Sequence, residues 1–242
     1  MSQASDLHVS PGDILFMSAR SVANPGFDGL GFEDDVLDLD AMHTFTDCFG
    51  TEPGQLAAPG FPTADSLLVL SVEDNDTVIA VRLGVMSTDP VANHLPELAK
   101  ALSKPKVFFI GGHNQPVVLG VGYLASSMDA ERAAHDEETS APLFGKNHQF
   151  LHIHTGDPEN SVEQQVEATG SELAGLRLFH SYVTAPVEHI TQWVKAGFIE
   201  AEQATYEDVF AERPSETWRQ IMARRPFPEN LFSTWAQHPE RN

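Results

Sequence analysis

Cysteine is almost absent from this chain: Cys48 stands alone among 242 residues. No internal disulfide can form and no CxxC thiol pair exists, which suits a reducing compartment. Between Asp47 and Phe49, with no Lys or Arg beside it, Cys48 reads as a small hydrophobe rather than a reactive thiol. Positive charge is also scarce. Fourteen Lys and Arg face 35 Asp and Glu, for a net charge of −21. In residues 1–99 only Arg20 and Arg82 oppose sixteen acids. A field of that sign repels phosphate backbones, so direct nucleic-acid binding is disfavoured. Arg213, Arg219, Arg224 and Arg225 gather near the C-terminus, where the last three complement a helix end. Long apolar runs are missing too. Leu67 to Leu70 and Val107 to Ile110 fall far short of the roughly 20 residues of a membrane helix. Residues 1–11 form a polar lead-in without a basic cluster and apolar core, so a cytoplasmic protein is expected.

What is present is enough to fold. A hydrophobic content of 41% against 20% charged residues supports a core, and the length suits a single domain over 1–242. Ile14 to Ser18 reads as a strand between Pro11-Gly12 and Asn24-Pro25-Gly26. Residues 31–65, rich in Asp, Gly and Pro, read as an acidic insertion without assigned structure. Leu67 to Glu73 and Val78 to Val85 flank Asp74-Asn75-Asp76-Thr77, which predicts an antiparallel hairpin. A helix is expected after Asn93, from Leu95, Leu98 and Leu102.

Lys106 to Ile110, apolar on both faces, predicts a central strand, joined by the turn Gly111 to Pro116 to a strand Val117 to Leu124. Gly120 and Gly122 share one face of that second strand, so sharp curvature or close approach of another element is expected there. Phe150 to Thr155 and Leu176 to Tyr182 read as strands. Helices are expected from Asp157-Pro158, from Pro186 to Gly197, and from Pro214 to Pro226. Phe198 to Glu202 reads as a short edge strand between the last two.

Three constellations could carry chemistry. Gly111 and Gly112 after a buried strand can aim backbone N–H groups at an anion, with His113, Asn114 and Gln115 adding polar side chains. The competing reading is a hairpin turn whose glycines need positive φ. Arg82, isolated among acids, is either a ligand anchor or a polar-face residue balancing those acids. His148, His152 and His154 form an H-x3-H-x-H run, and on a strand the last two face one way, as two metal ligands must. That pattern opens a metal-dependent enzyme as the alternative to solvated surface histidines. His180-Ser181-Tyr182 puts a hydroxyl beside an imidazole, but adjacent strand residues point to opposite faces and no G-x-S-x-G elbow is present. No catalytic residue, metal or cofactor is therefore assigned.

Four segments in order resemble the YqgE/AlgH family. They are Gly12 to Met17 with Asn24-Pro25-Gly26-Phe27; Val107 to Pro116, similar to a buried strand leading into Gly-Gly-x-x-Gln-Pro; Leu176 to Tyr182; and Trp218 to Arg225 with His238-Pro239. The family's Gly-Tyr-x-Gly-Trp is replaced here by Ser181 to Ala185, its Asn-Arg-Pro is missing near Gly84 to Ser87, and residues 31–65 interrupt a short connection. The resemblance implies a divergent member with an α+β fold, in which a mixed, bifurcated sheet forms a small closed β-barrel surrounded by helices. It implies cytoplasmic proteins of unknown activity, one branch of which is named as a transcriptional regulator. A non-enzymatic accessory or regulatory role, with an unknown protein or small-molecule partner and no membrane, is the expectation that follows.

Overall fold

The computed structural model describes residues 8–19, 37–52, 66–126, 143–155 and 172–234, with residues 161, 164 and 165 between them. The helix expected at Asp157 falls largely outside these residues, as do residues 53–65 of the insertion.

The fold is α+β, built on two sheets. In the first, strands run in the order β10-β3-β2-β1-β11 and every neighbouring pair is antiparallel. Its members are β1 (Asp13–Met17), β2 (Ser66–Val72), β3 (Thr77–Arg82), β10 (Val183–Pro186) and β11 (Ile199–Gln203). The second has the order β4-β5-β9-β6-β8-β7. It comprises β4 (Met86–Pro90), β5 (Val107–Ile110), β6 (Val118–Leu124), β7 (Leu143–Phe144), β8 (Phe150–His154) and β9 (Leu173–His180). Among the described residues only β5 and β9 run parallel.

Among the described residues the expected closed barrel is not found. Closure needs the outermost strands of a sheet to pair, and both sheets are open, ending at β10 and β11 and at β4 and β7. The glycines of β6 serve close packing instead. A Cβ on Gly120 would lie 2.8 Å from Ile153 Cβ, and one on Gly122 would lie 2.8 Å from Leu173 Cδ1. Of the two consequences those glycines allowed, close approach is the one realised.

Helices cover the sheets. Within the insertion, residues that the sequence reading left unassigned form α1 (Leu39–Phe49). Its signals are local: Asp38 Oδ1 accepts from the Ala41 N–H at 2.7 Å, and Gly50 ends the helix at φ 76°. Ala41, Phe45, Cys48 and Phe49 form its buried stripe. The helix α2 (Val187–Lys195) buries Ile190 and Trp193, and the Trp193 indole donates to the Ala41 carbonyl at 2.9 Å. Further on, α3 (Tyr206–Phe210) and α4 (Thr217–Ala223) follow, the latter burying Trp218, Ile221 and Met222. The helix expected after Asn93 is two short 3-10 turns, Val91–Asn93 and Pro96–Lys100, because Pro96 interrupts the run. Among the described residues no helix is long and apolar enough to cross a membrane.

Strand alternation divides β5 and β9 between two apolar clusters. Phe109 and Phe179 join the larger one, with β1, β2, β3, α1, α2 and α4. Phe108, Leu176 and Leu178 join the smaller one, covered by the 3-10 turns. The central position expected for β5 follows from this double burial.

Candidate functional site

The segment Gly111 to Pro116 is not a hairpin turn. Strands β5 and β6 flank β9 rather than each other, so the segment crosses over the end of β9. Its backbone is tied down at four amides. Gly111 N–H donates to His180 O (2.8 Å), His113 and Asn114 N–H both to Tyr182 O (3.2 Å), and Gln115 N–H to Ser181 Oγ (3.2 Å). Ser181 adopts φ 61° there, and its own N–H donates to Val117 O (2.8 Å).

The two glycines answer a packing demand. Neither has positive φ. A Cβ on Gly112 would stand 2.0 Å from the Tyr182 carbonyl carbon and oxygen, and one on Gly111 would stand 2.4 Å from Ser181 O. Glycine is required because two main chains touch. With both glycines buried, the next four residues, His113, Asn114, Gln115 and Pro116, are exposed. Asn114 Nδ2 donates to Thr184 Oγ1 at 2.8 Å, which orients that side chain over β10.

Arg82 meets this segment through its main chain, its N–H donating to Gly111 O at 3.0 Å. Its side chain goes elsewhere. Only 5% exposed, the guanidinium donates from Nε to Cys48 O (2.9 Å) and from Nη2 to Asp47 O. These are carbonyls of the last turn of α1, which have no partner within the helix. Burial lowers the Arg82 pKa, and the nearby Cys48 and Asp47 oppose that shift. Neither the ligand-anchor reading nor the surface reading describes this placement: the cation closes a helix. Beside it, Cys48 is buried, its Sγ–H directed at Thr184 O (3.7 Å), and desolvation pushes the thiol up to about 12.

The histidines of the metal reading lie on another part of the second sheet. His152 sits on β8 opposite Val121 of β6, and β6 and β9 separate that strand from β5. His148 occupies the turn before β8 at φ 49°. The side chain of His154 lies outside the described residues. Among the described residues no group of three or more His, Cys, Asp or Glu is arranged to hold a metal. His180 is exposed with its ring 4.2 Å from that of Phe108, whereas Ser181 Oγ accepts from Gln115, so the two are not joined as a nucleophile and base.

Two arginine arrangements escaped sequence reasoning. Arg177 on β9 is 2% exposed, donates to Val209 O, Ala211 O (2.9 Å) and Lys104 O (3.1 Å), and lies 4.2 Å above the Phe109 ring. Burial lowers its pKa to about 9, still well above neutrality, so the guanidinium stays charged at pH 7. Its one available signal was register, a single charge on the inward face of an apolar strand. At the end of α4, where the sequence placed them, Arg224 and Arg225 also form ion pairs: Arg224 with Asp208 (2.6 Å) and Glu202, and Arg225 with Glu200, Glu202 (3.2 Å) and Glu229 (3.0 Å).

No protein-family model matches the chain. Individual relatives do. It is 27% identical over 189 residues to a UPF0301 protein of Corynebacterium efficiens, covering 77% of this chain and 86% of that one. A UPF0301 protein of Corynebacterium glutamicum is 26% identical over 196 residues, covering 78% and 96%. Another, of Mycolicibacterium vanbaalenii, is 28% identical over 188 residues, covering 74% and 81%. In fold, the chain is similar to the crystal structure of a Corynebacterium diphtheriae protein, with TM-score 0.63, 21% identity, and coverage of 96% and 95%. These similarities support a divergent member of the UPF0301, or YqgE/AlgH, family, whose biochemical function is unknown.

Proposed function

We propose that this protein is a non-enzymatic, cytoplasmic accessory or regulatory protein that recognises a partner through the exposed side chains of His113, Asn114 and Gln115. One observation supports the reading: these polar groups project from a backbone held by four hydrogen bonds across the end of β9. A surface fixed before binding loses little conformational freedom on contact, which favours recognition. The net charge of −21 selects the partner chemistry, a protein with a basic face, because opposite charge speeds encounter.

Capture from a lysate of the source cells tests this. Wild-type bait should retain a basic protein at low salt and release it as salt rises. The double variant H113A/Q115A, which leaves the Asn114–Thr184 hydrogen bond in place, should lose it while keeping the wild-type melting temperature. Equal capture by wild type and variant would rule the turn out.

A further inference from the structure

Two residues each bond to both α1 and the Gly111–Gln115 turn. Arg82 donates its N–H to Gly111 O (3.0 Å) and its guanidinium to Cys48 O and Asp47 O of α1. Thr184 accepts Asn114 Nδ2–H at its hydroxyl (2.8 Å) and the Cys48 thiol at its carbonyl (3.7 Å). Apart from these residues, Gly112 packs directly on Tyr182 and Val183, the residues preceding Thr184.

We infer that α1 is the regulatory element of the turn: the last turn of α1 and the placement of residues 111–115 form and loosen together, through Arg82 and Thr184. The inference rests on the turn being the recognition surface and names what governs it. The physics lies in Arg82. A buried guanidinium stripped of both carbonyls must find new acceptors, and that strain falls on the residue whose main-chain N–H holds Gly111. α1 lies within the 31–65 insertion, so the control would belong to a segment that interrupts a short connection in the family pattern. Anything that binds or modifies this helix would then alter recognition at the turn, and partner binding at the turn would by linkage protect the helix.

Amide hydrogen exchange on the full chain reads the coupling without any partner. Asp47→Pro places a helix breaker at an exposed position of the last turn of α1. Exchange at Thr46 to Gly50 should accelerate, and the Gly111, His113, Asn114 and Gln115 amides should accelerate tenfold or more with it. Leu151 and Ile153 on β8 should keep wild-type rates. Arg82→Gln removes the bridge itself and should loosen the turn by a similar factor. Asp38→Ala, which deletes the N-cap acceptor and the Oδ2 that accepts from Gln192 Nε2 (3.1 Å), carries the same comparison if either variant unfolds the chain, with acceleration at the turn read against that in α1. A loosened α1 beside an unchanged turn would overturn the coupling. That result would leave partner recognition by the turn standing, while loss of the partner-capture result would leave the exchange data intact.

Discussion

Arg82 Nε donates to the main-chain oxygen of Cys48 at 2.9 Å, so a cation on a strand closes the C-terminus of a helix 34 residues earlier in the chain. No carboxylate takes part. The guanidinium fork suits the job because its N–H groups reach two successive carbonyls at once. Removing it leaves those buried oxygens without donors. Arg82→Ala is expected to cost about 3 kcal/mol in chemical denaturation, and Arg82→Lys to recover less than half of that. A loss below about 0.5 kcal/mol would show that water replaces the guanidinium freely.

Gly112 and Gly197 separate two reasons for glycine. Gly197 has φ 75° with open space around an added Cβ, whereas a Cβ on Gly112 meets the Tyr182 main chain at 2.0 Å. Gly197→Ala should cost about 1 kcal/mol, the left-handed penalty alone. Gly112→Ala should cost about 3 kcal/mol, because main chain has to move. Thermal melts of the two variants decide the order, and the reverse order would contradict the close-packing account.

Cys48 provides a clean pH test. Its folded pKa is raised to about 12 by burial, above its unfolded value near 9. The native state therefore keeps its proton where the unfolded state loses it. Stability from this group is complete below pH 9 and declines as pH rises from there, by about 1.4 kcal/mol per unit. Wild type minus Cys48→Ala, followed from pH 8 to 10.5, should show that slope. A flat difference would mean the thiol is not buried. Iodoacetamide should accordingly label the native protein far more slowly than the denatured one at pH 8.

Arg224 and Arg219 differ in what they leave behind. Arg224 pairs with Asp208, which is 0% exposed, so Arg224→Ala leaves a buried carboxylate with Thr205 as its donor but no cation, and should cost about 3 kcal/mol. Arg219 is exposed, and its alanine variant should stay within about 0.5 kcal/mol of wild type. Urea titration of both checks this; equal effects would deny the buried pair its role.

The strands of the hairpin, the double burial of β5, the edge position of β11 and the start of α4 were legible because apolar periodicity and Pro or Gly punctuation are local signals. α1 was equally local, with Asp38, the Phe45, Cys48 and Phe49 stripe, and Gly50, but the surrounding Gly and Pro of the insertion masked it. The barrel failed because strand pairing is non-local. Nothing near Gly111 tells that β9, some 60 residues later, inserts between β5 and β6. The glycine pair was read through φ, yet its cause is the Tyr182 main chain, which only tertiary structure brings close. Arg82 and Arg177 were opaque for the same reason, since the carbonyls that hold them belong to distant segments.

The rigidity of the Gly111–Gln115 segment underlies the proposed recognition surface. Amide exchange of the wild-type chain measures it directly at Gly111, His113, Asn114 and Gln115. Protection of at least about 100-fold over unstructured rates is expected at these four amides, although the side chains of the last three face solvent. Exchange at unstructured rates would mean the segment is not held in place, and the preorganised surface would not exist.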